Sequence, residues 1–216
     1  MKRLMDHIGK TVREHIAEAK LTPVENEIRK YILSEFSKNG RAPAAGKIVE
    51  GLRLPSIDIV NRAIEKLEAS DILLRSGEKI IFAYPFSALE TNHKVIFKDG
   101  HWVFALCATD ALGIHFMLNE DITVISKCPD CGNEIRIMVK ERHIDFHDPK
   151  EIIEFISHRG RGKCTAETHC PFINFFCSEK HLEKWREKNP EHGNGEICSL
   201  NEALEVGRII FGDFLK

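Results

Sequence analysis

The chain has 216 residues, with 31 Lys and Arg against 33 Asp and Glu, and a formal net charge of -2 at pH 7. This length allows one large domain or two modest ones, and the near-neutral charge excludes a general attraction to nucleic acid or to anionic membranes. Hydrophobic residues make up 43% and charged residues 30% of the sequence, a composition typical of folded rather than disordered chains.

The sequence contains no apolar run of about 18 residues, so we expect no transmembrane helix. The basic start, Met1 to Arg3, has no apolar stretch behind it, so we expect no signal peptide. Together these features predict a cytoplasmic protein.

Residues 1–85 predict a helical unit closed by a hairpin. Thr22, Pro23 and Glu25 form a capping-box pattern that opens the first helix. The predicted elements are a helix from Pro23 to near Gly40, a helix from about Ala44 to Leu52, a helix after Ser56, and strands at 73–74 and 80–82. Three helices followed by a two-stranded wing indicate a winged-helix-like domain, a relative of the helix-turn-helix.

A winged helix raises the question of DNA binding. Residues 1–90 hold 15 Lys and Arg against 13 Asp and Glu, whereas a DNA-reading domain usually carries a distinct basic face. The third predicted helix offers Arg62 and Lys66, but among three acidic residues. We therefore favour a structural or dimer-forming domain over a DNA reader.

Residues 86–216 predict a mixed α/β domain with a largely antiparallel sheet, so the whole chain is assigned to the α+β class. Its predicted elements are strands at 94–97, 102–105, 122–126 and 135–139, and helices from about Cys107 to Leu118, Glu179 to Lys188 and Ser199 to Phe214. The stretch from Glu151 to Ser157 fits either a strand or a helix.

Seven cysteines are the most unusual feature of the composition. An odd number in a reducing compartment disfavours a disulfide framework and indicates metal or thiolate chemistry. Cys107 and Asp110 stand three residues apart at a predicted helix start, so the thiol and the carboxylate share one face. The helix dipole would lower the pKa of Cys107. Taken alone, this pair also fits a packed core thiol and a surface or capping acid.

Two segments resemble the catalytic-cysteine segments of the organomercurial (alkylmercury) lyases. The first is VFALCATDAL at 103–112, and the second is CPFINFF at 170–176 with Trp185 at the family's spacing. The resemblance covers most of the chain. It includes the N-terminal winged helix, which is not known as a DNA reader in these lyases.

The resemblance implies a mercury-resistance reaction, R–Hg⁺ + H⁺ → R–H + Hg²⁺, in which Cys107 attacks the mercury and Cys170 adds a second sulfur. Asp110 moves a proton from a cysteine to the leaving carbon, and the three residues hold the Hg(II) product. No organic cofactor is implied. Cytosolic thiols would remove Hg(II), and a mercuric reductase is the expected downstream partner.

The C-P-x-C-G turn at Cys128 and Cys131 departs from the best-known members of this family. Such a turn is a recurrent half of a zinc site, and Cys177 and His181, four apart at a helix start, offer two more ligands. These four residues predict a possible structural zinc. A reduced dithiol and a mercury-delivery pair are the alternatives.

Other functions stay open at this point. Several thiols also suit a soft-metal-binding or metal-responsive winged-helix regulator without lyase activity, or a relative with the lyase fold and another substrate. Cys164 and Cys198 have no assigned role. The basic loop at 159–164 fits a lid over the site or, more simply, a solvated turn.

Overall fold

The computed structural model describes residues 10–158 and 164–215. The first residues of the chain, where no signal peptide is expected, and most of the basic loop before Cys164 lie outside these ranges. Helices α1 to α8 span Val12–Ala19, Pro23–Asn39, Ala45–Leu52, Ile57–Ala69, Ala108–Leu118, Thr165–Thr168, Glu179–Lys188 and Leu200–Phe211. Single 3-10 turns cover Cys170–Phe172 and Pro190–His192.

Eleven strands are present in the described ranges and form two sheets. Strands β1 to β11 span Leu73–Ser76, Lys79–Ala83, Phe86–Ser87, His93–Phe97, Trp102–Ala105, Ile122–Lys127, Glu134–Lys140, His143–Asp148, Ile153–Ser157, Ile173–Phe176 and Gly195–Ser199. The larger sheet has the order β1-β2-β3-β5-β4-β6-β7-β8, the smaller β10-β9-β11, and every pairing is antiparallel. The predicted α+β class with a largely antiparallel sheet is confirmed.

Helix α2 begins and ends where its capping signals predict, whereas α1 was not predicted from the sequence. Thr22 and Glu25 complete the capping box of α2, and Gly40 ends that helix in the left-handed conformation. The hairpin of β1 and β2 also forms, but β2 pairs onward with β3 and β3 with β5. The predicted wing is therefore the end of the eight-stranded sheet. The pairing of β2 with β3 and of β3 with β5 thus connects the N-terminal hairpin to the rest of the larger sheet.

Within the ambiguous stretch from Glu151 to Ser157, residues Ile153–Ser157 form strand β9. This strand is the centre of the smaller sheet, and all five of its residues are buried. Helix α8 ends at Phe211 rather than at the predicted Phe214. No described helix has both the length and the apolar character needed to cross a membrane.

Helix α5 is buried on all sides, since residues 108–117 are all inaccessible to solvent. A helix that is apolar all round belongs in the interior. It packs against α8 at two glycines, and a Cβ on Gly207 would lie 3.0 Å from the backbone nitrogen of Gly113. Close backbone approach of the two helices therefore holds the first turn of α5, which carries Cys107 and Asp110, inside the protein.

We predict that Gly113→Ala destabilises the protein, because the added Cβ would lie 2.1 Å from the ring of Phe211. Overpacking of this kind costs about 1–3 kcal/mol. Gly46→Ala in α3 is the matched control, since its Cβ would meet nothing within 4 Å, and a helical Gly→Ala change stabilises by up to about 1 kcal/mol. Chemical denaturation of both variants measures the difference. Equal stability would contradict the proposed close packing of α5 on α8.

Candidate active site

Cys107 lies at the junction where β5 passes into α5. It is the N-cap residue of α5, with an extended backbone, and its Sγ accepts a hydrogen bond of 3.4 Å from the backbone nitrogen of Asp110. An N-cap side chain folds back over the first helical turn to reach its amides. The thiol and the carboxyl of Asp110 are therefore held on the same side of the helix start.

Cys170 reaches this place from the far end of the sequence. It begins the 3-10 turn between α6 and β10, and its side chain is buried. The sulfurs of Cys107 and Cys170 and a carboxyl oxygen of Asp110 all lie within 4.8 Å of one another. The fold thus brings together the three residues that the sequence predicted as one site.

Burial controls the ionisation of Cys107. Desolvation raises the pKa of this thiol well above its usual value, and a hydrogen bond with Cys170 and the charge of Asp110 raise it further. The backbone hydrogen bond at the helix start acts in the opposite direction but is outweighed. The expectation of a lowered pKa for Cys107 is therefore wrong, because the helix start is desolvated. In the free protein the thiol keeps its proton.

Asp110 is also fully buried, and burial raises the pKa of its carboxyl to about 7. The hydrogen bond with Cys107 lowers the pKa, while the charge of Glu154 raises it. Its Oδ2 has no hydrogen-bond partner within the described ranges. Near neutral pH this carboxyl therefore exchanges between its acid and base forms, as a proton carrier must.

Glu154 is a second buried carboxyl beside this helix turn, and the sequence did not single it out. It lies in the central strand β9, is 0% exposed, and its Oε1 accepts a hydrogen bond of 2.7 Å from the hydroxyl of Thr109. Burial raises its pKa to about 7. An acidic residue in an otherwise apolar strand, Ile-Glu-Phe-Ile, was the signal that could have identified it.

Two residues of the N-terminal half also line the site, and neither was predicted. The hydroxyl of Tyr84 lies 4.0 Å from the Sγ of Cys170. Asp71 accepts hydrogen bonds from the backbone nitrogen and the hydroxyl of Thr165, at the start of α6. Only contacts across the fold identify such residues, because no local pattern in the sequence marks them.

A cavity of about 60 Å³ adjoins the three site residues. By volume it holds a few water molecules at most. Cys107, Asp110 and Cys170 lie on its wall together with apolar side chains, namely Val12, Ile173, Ile210 and Phe211. The site therefore combines two thiols and one acid with an apolar surface suited to a small organic group.

A second group of thiols lies elsewhere in the molecule. The sulfurs of Cys128, Cys131 and Cys177 lie within 4.8 Å of one another, and Cys131 is exposed. His181 is outside this group of atoms in the described structure, and its Nδ1 pairs with Asp130 at 2.9 Å. The structure thus assembles three of the four predicted zinc ligands.

The two unassigned cysteines belong to neither group. Cys164 is the half-buried N-cap residue of the short helix α6. Cys198 is fully buried in β11, opposite Glu154 of β9. No cysteine in the described ranges forms a disulfide.

Comparison with known proteins gives a consistent family. The sequence model of the family described as MerB, alkylmercury lyase, matches residues 86–212, which is more than half of the chain. Alkylmercury lyases of Bacillus cereus and Clostridium butyricum are each 27% identical over 112 residues, or 52% of this chain. The chain belongs to the alkylmercury lyase family.

The sequence similarity to these curated relatives is partial, whereas the similarity in fold to a solved structure is extensive. The aligned part spans 50% of each curated relative, so the chain covers about half the length of the relatives it matches. A solved structure of the mercury-bound form of MerB2 superposes with a TM-score of 0.78 at 22% identity, covering 95% of this chain and 98% of that one. The overall fold is therefore that of MerB2.

We predict that Glu154→Gln stabilises the protein at alkaline pH. The pKa of Glu154 is raised from 4.5 to about 7 by folding, so the folded state binds more protons across that window. The stabilisation that the protonated Glu154 carboxyl provides is therefore lost as the pH rises from about 4.5 through about 7. Removing the carboxyl should stabilise the protein by up to about 3 kcal/mol at pH 8, and by much less at pH 5.

Urea denaturation at the two pH values measures this difference, and Glu151→Gln, an exposed glutamate near β9, is the control. A Glu154→Gln variant less stable than wild type at pH 8 would show that the buried carboxyl is ionised and stabilising.

Proposed function

We propose that the protein cleaves carbon–mercury bonds in organomercurials by protonolysis, with Cys107, Cys170 and Asp110 as the reacting residues. The observation that carries this proposal is the convergence of two buried thiols and one buried carboxyl within 4.8 Å. Mercury is a soft metal that prefers thiolate ligands. Membership of the alkylmercury lyase family supports the same reaction.

The first step binds the substrate. The sulfur of Cys107 forms a bond to the mercury of R–Hg⁺, and the thiol proton leaves because a coordinated thiol is deprotonated. The carboxyl of Asp110 is the nearest base, and its pKa of about 7 allows it to take this proton at neutral pH. The raised pKa of the Cys107 thiol in the free protein keeps that proton available until mercury binds.

The second step breaks the bond. Cys170 adds a second sulfur to the mercury and releases its own thiol proton to solvent. The second sulfur increases the electron density on the metal and weakens the Hg–C bond. The electron pair of that bond takes the proton from Asp110, so the products are R–H and Hg(II) held by two sulfurs and the carboxylate. The balance is R–Hg⁺ + H⁺ → R–H + Hg²⁺, and no oxidant or organic cofactor is required.

Release of Hg(II) requires other thiols that compete with the two cysteines for the metal. We propose that small thiols of a reducing compartment, the cytoplasm, exchange with the two cysteines and remove the metal. A mercuric reductase is the proposed consumer of the product, by analogy with the family.

We propose that residues 1–85 form a winged-helix-like unit with a structural role. The regulator alternative would need a basic α4, but its Lys66 is paired with Glu25 at 2.7 Å, and its Glu68 with Arg75 of β1 at 2.6 Å. Few free cations therefore remain on this helix for phosphate contacts.

We also propose that the second thiol group is a structural zinc site, which takes no part in the cleavage.

The decisive experiment measures hydrocarbon release from methylmercury or phenylmercury with excess thiol. Wild type should release methane or benzene, and Cys107→Ser, Cys170→Ser and Asp110→Ala should each lower the rate at least about 100-fold, a typical loss for a proton-transfer group. Cys164→Ser is the matched control, because this cysteine lies outside both thiol groups. Tight mercury binding without hydrocarbon release would instead identify a soft-metal binder.

The acid limb of the pH profile tests the role of Asp110. Because the carboxylate must be ionised to accept the thiol proton, kcat/KM should rise with pH up to about 7. In Glu154→Gln the limb should move to lower pH, since the lost negative charge had raised the pKa of Asp110. Glu151→Gln should leave it in place. An unmoved limb in Glu154→Gln would assign the limb to another group.

A further inference from the structure

The group of Cys128, Cys131 and Cys177, here called the surface thiol cluster, connects the two sheets. Cys128 and Cys131 lie in the turn between β6 and β7 of the larger sheet, whereas Cys177 follows β10 of the smaller one. The backbone closes the turn, since Cys128 donates to the carbonyl of Asn133 and Gly132 donates to the carbonyl of Cys128. Gly132 has a φ of +73°, a conformation that favours glycine.

The spacing of the sulfurs matches a tetrahedral metal site. The Sγ atoms of Cys131 and Cys177 lie 3.8 Å apart. Zinc–sulfur bonds of about 2.3 Å in a tetrahedron put neighbouring sulfurs about 3.8 Å apart. A disulfide would need about 2.05 Å.

His181 stands near this cluster and has a carboxylate partner. Its Nδ1 faces Asp130 at 2.9 Å, and Asp130 also pairs with Lys188 at 2.7 Å. A histidine bound to zinc through one ring nitrogen commonly donates its other N–H to a carboxylate. Nε2 is therefore the atom of His181 that is left for a metal.

We propose that the surface thiol cluster binds one zinc ion, with His181 as the fourth ligand through Nε2 after a side-chain rotation. Asp130 positions the histidine. The ion connects the β6–β7 turn to the segment between β10 and α7, and so fixes the end of β10 opposite to Cys170. This role is structural and independent of the cleavage reaction. The exposure of Cys131 gives the ion access from solvent.

Elemental analysis of protein produced with zinc in the medium tests this site. We expect one zinc per chain in wild type and in Cys107→Ser/Cys170→Ser, and none in Cys131→Ser or Cys177→Ser. Cys164→Ser, outside both thiol groups, should keep its zinc. A folded, zinc-free wild type would overturn the proposal. So would zinc that is lost only with Cys107 and Cys170, because the metal would then belong to the other site.

Four further measurements test the ligand set and its role. Cobalt substitution should give thiolate-to-cobalt absorption in wild type that is absent in Cys131→Ser. Asp130→Asn should weaken zinc binding about tenfold, and unchanged affinity in His181→Ala would remove His181 from the site. Chelation should lower Tm by about 5–10 °C. Cys131→Ser should still release hydrocarbon when it is assayed below its lowered Tm. The zinc proposal and the lyase proposal can therefore fail independently of each other.

Discussion

The close packing of α5 on α8 is the constraint on which the candidate active site depends. Because the two helices meet at Gly113 and Gly207, the first turn of α5 lies inside the protein rather than at its surface. Desolvation of that turn then raises the pKa of the Cys107 thiol and brings the pKa of the Asp110 carboxyl to about 7. The buried position of this turn thus affects the ionisation of both the thiol and the carboxyl.

The two thiol groups have different environments, and their proposed chemistry differs accordingly. Cys107 and Cys170 are buried with an acid between them and an apolar wall beside them. This arrangement suits a reaction at a metal–carbon bond, because two sulfur ligands and a proton-carrying group lie at one place. The surface thiol cluster instead has an exposed member and lies beside a histidine with a carboxylate partner. Those features suit an ion that stays bound.

Local signals predicted the helix starts and the segments that carry the cysteines. The capping boxes at Thr22 and Ser199 and the Cys-x-x-Asp spacing at 107–110 each depend on a few neighbouring residues, so sequence alone was sufficient. The pKa of Cys107 could not be predicted in the same way, because its burial involves segments far along the chain, among them the turn that carries Cys170. Tyr84, Asp71 and Glu154 were missed for the same physical reason, since each reaches the site only through long-range contacts.

The contribution of the N-terminal half changes how the chain divides into functional parts. The family match begins at residue 86, and the three proposed reacting residues lie within it. Yet Tyr84 touches Cys170, and Asp71 anchors the start of α6, the helix that leads to Cys170. Val12 of α1 also lines the cavity. A boundary near residue 85 therefore passes through the site: the C-terminal part supplies the sulfur and proton chemistry, and the N-terminal part supplies much of the wall that an organic group would contact. Changes in the N-terminal part can accordingly alter which organic group fits while leaving the two thiols and the carboxyl in place.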